Sequence, residues 1–477
     1  MKIVFLCTLT LALSGLPLST KAQENANQQF TEDLAQLKEY FHIPGIAALV
    51  EKEGKIIYEE YFGFANIEDS IKVNKNTSFP IASLTKIFSG VLLMKLKEQG
   101  KLSLDTPINE FLKQSKLGDS VLVKHILTHT SQGNLGENFY YSYRFGALTP
   151  VIEKASENKF HEMVSSEILT PLKMDDSWFL NDSVDVKKHD TTFAKPYLFD
   201  GKAKSGPIEY GVSTSSGLVS TAHDLLKFSR ALDDQSLISN TTRDFMLSVP
   251  KEDLPYGHGI FVQSLDGIQL IWGYGQYDSY SSLFLKVPAK NSTLILLANN
   301  NFMSDPARLI YGDVTSSLFA LSYLQSYIYG EANLPISKLN RQKMLAQALA
   351  ASFMSRFDDT EWKKSIQLLD AIFETYPNYL EYAHLNLLHN LMFLKTVAFH
   401  KGFGVFNTFD DKIEAIGARL LKNDPKNPYA NVYMGDFYDG KGEIEKARIH
   451  FQTIADAENY SPFWYTSVAK EWLEENK

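Results

Sequence analysis

Short strand-like runs, rich in apolar residues, fall in two separated groups along the chain. Ala47 to Glu51 and Lys55 to Tyr61 read as strands joined by Glu53-Gly54, a hairpin signal. Two hundred residues later, Gly259 to Gln263, Ile268 to Trp272, Ser281 to Val287 and Thr293 to Leu297 read as four more strands. Asp266-Gly267 and Lys290-Asn291 mark the turns between them. Helical periods fill the interval. Strands at both ends of a segment with helices between them predict one sheet that both ends build together. After Gly330 the strand signals stop. Glu331 to Lys338, with Pro335, reads as a linker, and the rest is helical by pattern.

The last part of that helical stretch carries Met434-Gly435, Tyr438, Ala447 and Phe451, preceded by Asp424-Pro425 and Asn427-Pro428. The spacing resembles a tetratricopeptide helix pair, in which small residues let two helices approach and aromatics fill the groove. Ile366 to Pro377 resembles the second helix of another such unit but lacks a clean partner. The alternative is a plain helical appendage. With 477 residues, more than one domain is expected. The division is 1–22 as a leader, 23–330 as a mixed sheet-and-helix domain, and 331–477 as an all-α domain.

The leader rests on Lys2, the mostly apolar run Ile3 to Leu18, and Thr20-Lys21-Ala22 as a cleavage site. A retained anchor helix is the alternative. A periplasmic or secreted location follows, and no later stretch is apolar enough to span a bilayer. The one cysteine, Cys7, lies inside the leader, so cysteine catalysis and thiolate metal sites are excluded from the mature chain. The 47 Lys and Arg against 56 Asp and Glu give a net charge of −9, or −11 once Lys2 and Lys21 leave with the leader. No basic stripe is present, so nucleic acid is not an expected partner.

Candidate chemistry begins at Phe79-Pro-Ile-Ala-Ser-Leu-Thr-Lys-Ile87, which opens a helix expected to run to about Gln99 and stop at Gly100. Ser83 and Lys86 are three apart and share a helical face. Ser83 stands at the positive end of the helix, where its N–H is free to hold an oxyanion. A serine hydroxyl needs a neighbour to take its proton. An N-cap serine followed by a surface lysine is the bland reading of the same spacing.

The surrounding blocks change that balance. Pro44-Gly45, Gly54-Lys55, Gly63, Ser83-x-x-Lys86 and Gly100-Lys-Leu-Ser-Leu-Asp105 occur in order, followed by Leu127-Thr-His-Thr-Ser131 and Ser215-Ser-Gly-Leu-Val-Ser-Thr221 with Asp224. Over residues 28–321 the chain resembles the class C beta-lactamase and DD-peptidase group of serine hydrolases. The resemblance implies an α/β (α+β) fold, with an antiparallel sheet flanked by helices. It implies Ser83 as nucleophile, Lys86 beside it, and no cofactor or metal.

The family's Tyr-x-Asn motif is placed at Tyr141-Ser142-Tyr143, with Tyr140 the adjacent alternative. The resemblance makes Tyr141 the general base, its pKa lowered by Lys86. Tyr143 stands where an amide is usual. The loop from Ser131 to Tyr141 is short for the family, which predicts an open site. The third motif falls at Trp272-Gly-Tyr-Gly-Gln276, with Gly273 where the family has Lys or His. Gly275 and Gln276 follow on the strand edging the site, and the N–H groups of Ser83 and Gln276 are the expected oxyanion hole. Without a basic residue at 273, a substrate carboxylate loses an anchor, which lowers true beta-lactamase and DD-carboxypeptidase activity. An ester or amide hydrolase acting on a small molecule, short peptide or cell-wall fragment is the leading expectation. A catalytically impaired binding module is the alternative, with the helical region as the candidate surface for a protein partner. His125 and His129, four apart, and His384 and His389, five apart, are not expected to ligate a metal.

Overall fold

The computed structural model describes residues 18–112, 117–329, 336–382, 384–457 and 459–477. Most of the expected leader, including Cys7, lies outside the described residues, as do 331–335 of the expected linker. The last of the linker is helix: Ile336–Met354 has already begun at Ile336. Among the described residues no helix is long and apolar enough to cross a membrane.

The sheet is the one predicted from the two strand groups. Seven antiparallel strands lie in the order Ile71–Lys72, Lys55–Asn66, Gly45–Lys52, Ser292–Ala298, Ser281–Val287, Ile268–Gln276 and Phe261–Leu265. Gly45–Lys52 pairs with the late strand Ser292–Ala298, Ile46 opposite Ala298 and Lys52 opposite Ser292. That pairing joins the two ends of the segment. The tight turns fall at the expected places, with Glu53, Asp266 and Asn291 at positive φ.

Alternation along each strand sends side chains to two faces, and both faces are covered. Ala47, Leu49, Phe284, Ile295 and Leu297 pack with Leu84, Ile87 and Phe88 of the segment that carries Ser83. Ile46, Ala48, Val50, Leu285 and Leu296 pack on the other face with Phe30 and Leu34 of the helix Leu18–Tyr40, and with Phe319 and Tyr323.

The C-terminal region is all helix, from Ile336–Met354 to Trp464–Glu475, with its own apolar core. Gly435 of the helix Pro428–Gly440 lies under Phe451 of Ile444–Ala455. A Cβ on Gly435 would come within 2.6 Å of the Phe451 ring, so the small residue permits the close approach. Asp359–Thr375, expected to lack a partner, packs on Ile336–Met354, where Ser365 Oγ donates to the Ala348 carbonyl at 2.9 Å.

Candidate active site

Ser83 sits on the 3-10 turn Ala82–Leu84, which feeds the helix Thr85–Glu98. The preceding Ala82 is buried and has φ +47°, a left-handed conformation that costs a residue with a Cβ roughly 1–2 kcal/mol. The turn is held by its neighbour. The Ile81 N–H donates to the Leu218 carbonyl at 2.9 Å, and the Ile81 carbonyl accepts from Ser282 Oγ at 2.9 Å. Strain fixed in this way gathers where a side chain must point in one direction.

Lys86 lies one helical turn on, with its side chain only 4% exposed. Its Nζ donates to Ser83 Oγ at 2.9 Å and to the Ser215 carbonyl at 3.2 Å, and it faces the Tyr141 and Phe145 rings at 5.1 and 5.5 Å. Burial, with no carboxylate pairing it among the described residues, pulls its pKa down to about 7. The amine is therefore substantially neutral near neutrality, which a surface lysine is not.

Tyr141 is brought to the same place, its ring beside Lys86 Nζ and its phenol within the influence of the Ser83 hydroxyl. The direction of its pKa reverses the expectation. Burial raises it above its ordinary value, only partly offset by Ser83, so Tyr141 is held protonated. Tyr140 turns the other way and donates to both carboxylate oxygens of Asp424, at 2.9 and 2.7 Å. Of the two adjacent phenols, the geometry brings Tyr141 to the Ser83–Lys86 pair.

His129 stacks on Tyr141 at 4.3 Å between ring centroids. Its Nδ1 accepts from the Ser142 N–H at 3.2 Å, which places the ring proton on Nε2. Burial, reinforced by Lys86, lowers its pKa well below the usual value and keeps it neutral. The ring lies after the short helix Val123–Leu127 rather than on one face with His125.

The strand Ile268–Gln276 forms the opposite wall. Tyr277 N–H donates to the Tyr280 carbonyl at 2.9 Å, so Tyr277/Tyr280 is a hydrogen-bonded pair. Bonding alternates along an antiparallel ladder, and the next pair, Gln276/Ser281, leaves the Gln276 N–H pointing off the ladder. The outer strand Phe261–Leu265 pairs only as far as Trp272, so that N–H stays free. Ser83, second in its turn, precedes the first intrahelical bond, from Leu84 N–H to the Ile81 carbonyl. Gly275 permits the close packing of this wall: a Cβ there would overlap the Ile81 carbonyl oxygen at 1.8 Å.

At Gly273 the face that carries a basic residue in the resembled group is aliphatic. A Cβ would meet Ile87 Cδ1 at 2.6 Å and Leu84 Cδ1 at 3.0 Å. Tyr143 is 75% exposed and meets the Phe463 ring edge-on at 4.7 Å. Ser83, Ser215, Ser216, Gln276 and Tyr277 are all partly exposed and mark the mouth.

The short loop before Tyr141 does not leave the site open on every side, because the helical region docks on it. Gln132 Oε1 accepts from the Ser461 N–H at 2.6 Å and from Tyr465 at 3.2 Å. Asn459 Nδ2 donates to the Gly133 carbonyl at 2.7 Å, and Tyr429 donates to the Tyr141 carbonyl at 3.3 Å. A second contact chain runs from Gln276 Nε2 to Asp305 Oδ1 at 3.1 Å. Arg308 binds the same Asp305 oxygen at 3.1 Å and His389 Nε2 at 3.1 Å.

The match with known proteins agrees with this geometry. The family model described as Beta-lactamase matches residues 6–314. The chain belongs to the Beta-lactamase family. Among similar proteins, Protein flp of Staphylococcus aureus (strain MW2) is 24% identical over 307 residues, covering 54% of this chain and 60% of that protein. The chain therefore spans well under two thirds of that relative's length. Among solved structures, the octameric penicillin-binding protein homologue from Pyrococcus abyssi aligns with a TM-score of 0.57 and 24% identity, over 67% of this chain and 81% of that one. The D-amino acid amidase from Ochrobactrum anthropi SV3, complexed with L-phenylalanine amide, aligns with a TM-score of 0.50 and 19% identity, over 60% and 93%.

Within the Beta-lactamase family frame, several contributors went unassigned from the sequence. Ser215 was visible in its block, but nothing in the spacing announced that its carbonyl would hold Lys86. His129 likewise stood inside a quoted block. Asp305, Arg308, Tyr429 and Ser461 carried no motif at all, and Asp424 stood only before the helical repeat, with nothing to link it to this site.

Proposed function

We propose that this chain is an exported serine hydrolase that opens an ester or amide through an acyl-enzyme on Ser83. The observation that carries the reading is the 2.9 Å contact between Ser83 Oγ and a buried Lys86 Nζ whose pKa burial lowers to about 7. In the proposed sequence the neutral Lys86 amine takes the Ser83 proton as Oγ bonds to the substrate carbonyl carbon. Charge on the carbonyl oxygen meets the N–H groups of Ser83 and Gln276, an arrangement in which each donor contributes roughly 3 kcal/mol in the transition state. Tyr141, kept protonated by burial, gives its proton to the leaving amine or alkoxide and regains one from the Lys86 ammonium. Water then attacks the acyl carbon, Lys86 takes the proton of that water, and Ser83 leaves with its hydroxyl restored. Export is supported by Lys2, the apolar run to Leu18 and Thr20-Lys21-Ala22.

Small amides are the favoured substrate class over lactam carboxylates, because the wall at Gly273 offers aliphatic carbon from Ile87 and Leu84 where a carboxylate would need a cation. That same filling favours a second reading, a ligand-binding module with slow or no turnover. A fluorophosphonate probe separates the two. Labelling of the full-length protein that disappears in Ser83→Ala supports the hydrolase. No labelling of either form leaves the binding module.

A further inference from the structure

A cavity of about 340 Å³ lies between the two regions of the chain. Arg308 and Tyr311 of the catalytic region and Tyr429, Tyr433, Asp436 and Trp464 of the helical region line it. Its volume is that of a small-ligand site.

The polar groups on its walls are nearly all satisfied by each other. Arg308 is neutralised by Asp305 at 3.1 Å, and its Nε donates to His389 Nε2 at 3.1 Å. That leaves the His389 Nδ1–H to donate to the Tyr433 oxygen at 2.9 Å, and Tyr433 is hydrogen-bonded to Tyr311. Tyr429 is committed to the Tyr141 carbonyl. Asp436 is different. It stands exposed at the rim of the cavity, with no hydrogen bond or ion pair to any described residue. Partial cover by the wall, with the neighbouring Asp439 carboxylate beside it, pushes its pKa up.

One unpaired carboxylate among aromatic rings is the chemistry that holds an organic ammonium group. The ring faces attract the cation and the carboxylate supplies the counter-charge. Residues of its wall are also linked by hydrogen bonds to groups of the serine site at two points. Tyr429 reaches from it to Tyr141, and Asp305 links Arg308 to Gln276. We infer that this cavity is a subsite of the serine site that binds the free primary amino group of the substrate, as carried by a short peptide or an amino-acid amide. The inference rests on the hydrolase reading above.

The test uses the full-length protein and benzylamine as the probe, with benzyl alcohol as its neutral counterpart, measured by titration calorimetry. Benzylamine binds, the alcohol binds at least about tenfold more weakly, and Asp436→Asn weakens benzylamine at least about tenfold. Trp464→Leu, elsewhere in the lining, weakens it as well, which keeps the test decisive if circular dichroism shows Asp436→Asn to be misfolded. Saturating benzylamine also slows fluorophosphonate labelling of Ser83. Absence of binding, equal binding of the alcohol, or binding with an unchanged labelling rate overturns the subsite. If the wild-type protein takes no label while benzylamine still binds through Asp436, the hydrolase reading has failed and the amine site stands alone, so the two failures are told apart.

Discussion

Tyr429, on a helix of the C-terminal region, donates its phenol to the main-chain carbonyl of Tyr141 at 3.3 Å. One hydrogen bond therefore ties the helical region to the backbone of the residue whose ring faces Lys86. A buried bond of this type contributes about 1 kcal/mol. Tyr429→Phe is expected to leave the circular dichroism spectrum unchanged and to slow Ser83 labelling about fivefold. An unaltered rate would show the helical region to be a neighbour of the site without influence on it.

The adjacent tyrosines have separable jobs. Tyr141→Phe removes the phenol at Ser83 and is expected to reduce labelling about 100-fold with little change in Tm. Tyr140→Phe removes the hydrogen bond shared between the two Asp424 carboxylate oxygens and is expected to cost about 2 kcal/mol of stability while labelling persists. Thermal melts and labelling rates measured on both variants check the assignment, and the reverse pattern would exchange the two roles.

Lys86 sets a pH dependence. Only the neutral amine accepts the serine proton, so labelling is expected to rise with pH through about 7 and then level off. Lys86→Met should lower the plateau at least about 100-fold. The same group affects stability. In the unfolded chain it keeps its proton up to its ordinary value of 10.5, and in the folded chain it loses it near 7. Between these values the unfolded state binds more protons, so this residue's contribution to stability rises with pH. Below about 7 the cost of burying the charge is complete, and Lys86→Met is expected to raise the Tm there. Melts across the pH range read the sign directly.

Gly275 is a steric requirement of the wall. Its Cβ would overlap the Ile81 carbonyl oxygen, a backbone atom two residues before the nucleophile. Gly275→Ala is expected to cost about 1–3 kcal/mol and, by moving Ser83 relative to the Gln276 N–H, to reduce labelling about 100-fold. Gly273→Ala meets only the tips of Leu84 and Ile87, which can rotate away, so it should be the milder change. Comparing the two in the same labelling assay checks this, and equal losses would count against the wall geometry.

The sheet was legible because its strands are short, largely apolar runs that end at Glu53-Gly54, Asp266-Gly267 and Lys290-Asn291, where the backbone needs positive φ. The nucleophile was legible for a similarly local reason. Ser83 and Lys86 are one helical turn apart, so helix geometry alone puts them on one face. The choice between Tyr140 and Tyr141 was not legible. Neighbouring side chains diverge, and which of them meets Ser83 depends on the path of a loop that packs against Asp424, some 280 residues away.

The sequence by itself determined the sheet and the spacing of the serine–lysine pair, since each follows from strand pattern or helical repeat over a few residues, and the family resemblance placed the glycine-rich wall. Only the tertiary structure decided that burial would leave Lys86 near neutrality and Tyr141 protonated, that Ile87 and Leu84 would fill the face beside Gly273, and that a helical region would close over the short loop. Desolvation and packing are set by atoms arriving from distant parts of the chain, and no local pattern records which atoms those will be.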